Sequence, residues 1–207
     1  MKLYHMKKVR LFFLLLPWVI VGICGGNAVA ASSFTFDMGP YSSIDTSGTN
    51  DVLQMTVEMN PNLDNIFFTL DVGGSSDPFY FATIGTNESW INSDDIDPGT
   101  VTAKVDFDIP NLDPTVEGTS LGFSSLWSFV QGWRLEWVDP VHVVSNGLDF
   151  SVELSDVGYE SIFWQGPDGT AKILATVTLN AVPIPGSILL LGTGLIGLVG
   201  LKRRRRS

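Results

Sequence analysis

The side chains that could do chemistry in this chain are a set of tryptophans, a loop of clustered aspartates and a histidine. Flat aromatic rings on a β-sheet stack on the apolar faces of sugar rings, and residues 31–182 hold Trp90, Trp127, Trp133, Trp137 and Trp164. Trp133 and Trp137 fall on one strand face with Leu135 between them, a pattern that marks a core. Trp90 and Trp164, beside turn residues, are the candidate glycan-stacking pair. Residues 92–99 read NSDDIDPG and gather Asp94, Asp95 and Asp97, oxygen donors of the kind a hard cation such as Ca²⁺ takes. The same residues also suit a turn with no ion at all. Asn60, Asn62 and Asp64 repeat a 1-3-5 ligand spacing, with Asp71 at the twelfth position. Asn65 stands where an EF-hand loop needs glycine and the closing Glu is absent, so that reading fails.

Catalysis finds less support. His142 lies in the apolar run 141–144, and the chain has no G-x-S-x-G sequence to present a nucleophile to it. Beyond Cys24 there is no cysteine, and His142 is the one histidine past the leader, which leaves no typical zinc set. A glycosidase needs two carboxylates at a set separation, and no spacing in the sequence marks out such a pair. The chain therefore reads as a non-enzyme, without a catalytic residue.

Charge is strongly partitioned. Of the twelve Lys and Arg, four lie in the first ten residues and five in the last six. All 22 Asp and Glu lie between Asp37 and Asp168, where only Lys104 and Arg134 accompany them; Lys172 follows. Residues 31–182 thus carry 3 positive against 22 negative groups, a net of −19. Such a surface repels phosphate backbones and anionic lipid, so nucleic acid is a poor partner.

The two ends explain the basic residues. Residues 1–10 form a basic segment and 11–25 a short apolar one, and Ala28-Val29-Ala30 then supplies the small-x-small pattern of signal-peptidase cleavage. A signal peptide over 1–30, with Ala31 starting the mature chain, is the expectation. Residues 183–201 carry no charge. As a helix they would span about 28 Å, close to the thickness of a bilayer's hydrocarbon core. Lys202, Arg203, Arg204, Arg205 and Arg206 follow as a basic stop that stays cytoplasmic, which puts the acidic region across the membrane.

The order Val182-Pro183-Ile184-Pro185, a Gly-rich apolar helix and a terminal Arg cluster resembles the PEP-CTERM sorting signal, in a VPxP form with Ile184 where Glu is usual. The resemblance covers residues 183–207 and the residue before them. It implies an exosortase substrate of bacterial origin, cut near the Pro motif and passed to the cell surface or the extracellular matrix of a biofilm. Signal peptidase and exosortase would be its partners during export.

The central region must supply whatever positions the Trp and Asp residues, and its period is two. Val101, Ala103, Val105, Phe107 and Ile109 alternate with Thr102, Lys104, Asp106 and Asp108, which predicts one half-buried strand. Leu53 to Met59, Leu148 to Leu154 and Ile173 to Leu179 alternate likewise. Phe34 to Phe36, Ile66 to Val72, Phe79 to Ile84 and Trp133 to Val138 are further strand candidates. Gly73-Gly74, Asp97-Pro98-Gly99, Asn146-Gly147 and Pro167-Asp168-Gly169 punctuate them as turns. Only Ser120 to Val130 invites a short helix. The expected architecture is all-β, an antiparallel β-sandwich of jelly-roll or Ig-like type over 31–182. The expected function is a structural or adhesive role in extracellular polymer; the alternative is a polysaccharide-binding module, Ca²⁺-dependent or not.

Overall fold

In the computed structural model the described residues are 33–49, 52–125, 129–138, 140–162, 165–182 and 192–194. The expected signal peptide, Pro183 to Pro185, the expected basic stop, Trp127 and Trp164 lie outside them. No helix among the described residues is long and apolar enough to cross a membrane. The all-β expectation holds: the described residues form thirteen strands, joined only by antiparallel pairings, one short 3-10 turn at Leu63–Asn65 and three helical residues at 192–194.

Two five-stranded sheets and one three-stranded sheet account for these strands. The small sheet has β1 (Ser33–Met38) at its centre, between β4 (Phe67–Asp71) and β7 (Phe107–Ile109). One large sheet runs β10 (Val141–Ser145), β11 (Leu148–Leu154), β13 (Thr170–Ala181), β5 (Phe79–Thr86) and β3 (Met55–Met59). The other runs β12 (Val157–Ile162), β9 (Val130–Trp137), β8 (Thr115–Ser125), β6 (Gly99–Lys104) and β2 (Ser43–Gly48). Two ribbons fold across both large sheets. The β2–β3 ribbon pairs with β5–β6, through β3·β5 in one sheet and β2·β6 in the other. The β9–β10 ribbon pairs with β11–β12 in the same manner.

Alternation explains why these segments are strands. Leu148, Phe150, Val152 and Leu154 are buried along β11 while Glu153 faces water, and Ile173, Ala175, Val177 and Leu179 are buried along β13. The β10–β11 hairpin turns on Asn146-Gly147, with φ of 52° and 83°. Two successive positive φ values make a turn whose twist matches that of paired strands, and Asn-Gly is the dipeptide that tolerates them best.

Two expectations are corrected. Ser120 to Ser125 is strand, paired residue by residue with Val130 to Leu135, and not helix. The apolar side chains of β9 that face this stretch reward a hairpin over a local helix. The run from Val101 to Ile109 is two strands in different sheets, separated at Val105-Asp106. Asp106 makes the break: it is 7% exposed, its Oδ2 accepts from the Tyr41 amide at 2.8 Å, and its own amide donates to Ser42 Oγ at 3.0 Å. A register shift between Asp37 and Met38 then sets Ile109 opposite Asp37 and Phe107 opposite Met38. Such a bulge lets Phe107 stay buried while Ile109, 47% exposed, turns outward.

A single hydrophobic cluster draws on all three sheets. At its centre Phe36 of β1 lies 5.2 Å from Phe150, 5.2 Å from Phe34, 5.5 Å from Phe68 and 5.8 Å from Phe107, measured between ring centres. Phe107 and Phe150 meet edge to face at 5.6 Å. These geometries are the ones aromatic quadrupoles favour, and each such pair adds about 0.5–1.5 kcal/mol to the area it buries. Phe36→Ala should therefore destabilise the domain by about 3–5 kcal/mol. Phe67→Ser, on the exposed side of β4, should cost no more than about 0.5 kcal/mol. Urea unfolding of the two variants beside the parent checks this, and equal losses would remove Phe36 from its central position.

Candidate functional site

Glycines and one aromatic ring shape a depression on the outer face of the sheet, where β8, β9 and β12 lie side by side. The register sets Leu121, Arg134 and Gly158 in one row across the three strands and Phe123, Gly132 and Glu160 in the next. Side chains in these rows point away from the core, because their neighbours Gln131, Trp133 and Leu135 are buried. Gly158 leaves part of the floor bare, while the tip of the Phe123 ring lies over Gly132. A Cβ on Gly132 would run into the Tyr159 carbonyl oxygen, and one on Gly158 would meet the Trp133 carbonyl oxygen at 2.8 Å. The resulting open depression of about 550 Å³ is lined by Phe123, Trp133, Arg134, Gly158, Tyr159 and Glu160. Its polar groups are a guanidinium and a carboxylate; its apolar wall is the half-buried Phe123 ring.

Beneath it, Trp133 is fully buried, with its Nε1–H donating to the Gly169 carbonyl at 3.2 Å. Trp137 is 9% exposed and faces the same interior. Both are core residues, as their spacing indicates. Of the candidate stacking pair, Trp90 is described and 46% exposed, while Trp164 lies outside the described residues.

Trp90 opens the loop that holds the expected cation ligands, and the loop is well anchored. The Ile91 amide donates to Gln131 Oε1 at 3.2 Å, and the Gly122 amide donates to the Asp95 carbonyl at 2.9 Å. Asp94 and Asp97 are exposed, whereas Asp95 is 1% exposed. Asp95 Oδ2 accepts from the Asn92 amide at 2.8 Å, and Asn92 Oδ1 accepts from the Asp94 amide at 3.1 Å. The three aspartates thus do not share one focus. No group of three or more His, Cys, Asp or Glu placed to hold a metal ion occurs among the described residues. The second acidic stretch also serves its own turn: Asn60 Nδ2 donates to the Tyr80 carbonyl at 2.7 Å, and its Oδ1 accepts from the Asn62 amide at 3.0 Å. His142 sits on β10, opposite Ser151.

No family model, curated protein or solved structure matches this chain. Function has therefore to be read from the residues themselves. Sequence reasoning pointed to tryptophans and missed the depression, because its wall is a phenylalanine seated over Gly132 and one of its lining residues is Gly158. The recurrence of glycine at 132 and 158, each inside an otherwise good strand, was the available signal.

Two carboxyl groups meet elsewhere, at the β6–β7 break. Burial raises the Asp106 carboxyl above the usual range, and hydrogen bonding and charge from Asp113 add to that, against the Tyr41 amide. Asp113 is held low by its hydrogen bond from Lys104, whose Nζ lies 2.8 Å from its Oδ2. Of the two carboxyls Asp106 thus holds a proton the more readily, and Asp113 keeps its charge the more readily. This arrangement clamps the corner after β1.

Asp95 makes the sharper electrostatic statement. Its Oδ1 is buried and has no hydrogen-bond partner among the described residues. Burial pushes this carboxyl up, against the Asn92 amide that lowers it, and Asp94 pushes it further. Glu88 is raised too, by burial and by the charges of Asp95 and Asp94. A carboxyl whose folded pKa is raised binds its proton better in the folded state. Stability is then greatest below the unfolded pKa and falls as pH climbs through the folded value. Asp95→Asn keeps an oxygen for the Asn92 amide and removes the charge. It should raise stability at neutral pH by on the order of 1 kcal/mol, or about 2–4 °C in Tm. The gain should disappear near pH ~3, where both states of the parent are protonated. Thermal melts of both proteins across that range check the sign.

Proposed function

We propose that this chain is an exported, non-catalytic protein of the bacterial cell surface or extracellular matrix, addressed by its tail to an exosortase. One observation carries the reading. β13, paired with β5 over its first half and with β11 over its second, ends at Ala181, and Val182 still packs against the core. The motif Val182-Pro183-Ile184-Pro185 therefore begins where the last strand stops, and a cut at or beyond Pro183 removes no element of the domain. The ribbons folded across two sheets suit a jelly-roll-like sandwich, a sturdy form for a domain without disulfides.

Its work on that surface would be structural or adhesive, through extracellular polymer. A second reading, a polysaccharide-binding module, is favoured by the depression on β8, β9 and β12, which offers one aromatic wall and two polar side chains to a sugar-sized ligand. Ca²⁺ dependence at Asp94, Asp95 and Asp97 would require Asp95 to leave its buried position.

The intact mass of the protein from envelope and medium of its host tests the export reading. A species starting near Ala31 and ending near Pro183 is the expected result. A mass that still contains Arg203 to Arg206 would replace it with a permanently membrane-tethered domain.

A further inference from the structure

We infer that the depression between Phe123 and Glu160 binds an amino-sugar unit of a polysaccharide, with the sugar's ammonium group on the Glu160 carboxylate. The inference rests on the polymer-associated role proposed above and names the class of polymer. Charge decides it. Arg134, the one cation lining the depression, has its Nε 3.3 Å from Glu136 Oε1 on the same strand. Glu160 makes no ion pair among the described residues, so the uncompensated charge at the site is a carboxylate. The other two cations of the domain are engaged elsewhere, Lys104 with Asp113 and Lys172 over the Tyr80 ring at 5.5 Å. A net of −19 across residues 31–182 repels polyuronates and other acidic glycans and attracts a cationic one.

Shape favours a pyranose over a lysine-bearing peptide. The site lies on the face of the sheet, and its middle strand β9 is hydrogen-bonded on both sides, to β8 and to β12. Extended peptides use a free backbone ladder; β12 is the sheet's edge strand, but a peptide added there would lie in the plane of the sheet, beside the depression and not over it. A sugar ring needs only an apolar wall for its C–H face and polar groups at its rim. Phe123 supplies the first; Glu160 and Arg134 supply the second. The volume of about 550 Å³ falls within the range of small-ligand sites.

Calorimetric titration of the full secreted domain with a glucosamine hexamer, at mildly acidic pH and near-physiological salt, tests this. The N-acetylglucosamine hexamer, an oligouronate and oligolysine serve as comparisons. Glucosamine hexamer should bind, the acetylated hexamer about tenfold more weakly, and the oligouronate not at all. Glu160→Gln should lose about tenfold for the glucosamine hexamer and little for the acetylated one, while Phe123→Ala weakens both. Thermal melts, with Phe123→Leu as a second and gentler variant, separate lost binding from lost folding. Unchanged affinity in folded Glu160→Gln and Phe123→Ala, with oligolysine bound as well as the sugar, would reduce the effect to unspecific attraction and overturn the site. Equal binding of the acetylated hexamer, or no binding of any sugar, overturns it too. The mass measurement is independent: a retained tail would sink the exosortase reading and leave this site standing.

Discussion

Phe36 is the packing constraint on which the domain turns. It belongs to the small sheet, yet its ring touches Phe150 of the large sheet that contains β13, as well as Phe107 and Phe68 from the strands flanking its own. Backbone hydrogen bonds hold each sheet together internally, but they do not fix one sheet against another. That task falls to side chains, and a rigid ring with few rotamers performs it at little entropic cost. The bulge opposite Asp37 follows from the same demand. Phe107 must face Phe36, Asp106 must face the Tyr41 amide, and the chain accommodates both by displacing one residue.

Polar satisfaction sets a second limit. Most buried polar groups here have partners, as where Ser120 Oγ donates to the Gly99 carbonyl and the Met55 amide to Thr49 Oγ1. Asp95 departs from that rule, with one oxygen bonded and one orphaned in the interior. The same loop carries an exposed Trp90 and the raised Glu88. The loop at Glu88 to Asp95 thus joins the Asp106–Asp113 pair as a place whose energetics depend on protons, within a surface that is acidic throughout.

Legibility in the sequence followed the strength of local pattern. The strands at 148–154 and 173–179 were readable because four apolar residues at period two leave one choice of face, and Asn146-Gly147 names its turn. The break at Asp106 was not readable, since its cause is a hydrogen bond to Tyr41, sixty-five residues away. Ser120 to Ser125 misled for a related reason: small residues with Gly122 have weak local preference, and their strand is decided by pairing with β9. Trp133 and Trp137 declared themselves core by their spacing. The depression escaped notice because it is a property of three strands in register, and no contiguous stretch of sequence encodes it.

The position of β13 has a mechanical meaning. Twelve residues long and third of five in its sheet, it pairs with β5 over residues 170–175 and with β11 over residues 175–181. Any tension transmitted along the chain from beyond Val182 enters the fold at this strand. At the end where that tension enters, one edge of β13 is paired with β11 and the other is bonded to residues 73–76, so the pull must break both sets of bonds together and meets no free border. A domain hung by its innermost strand resists being pulled apart from that end far better than one hung by an edge.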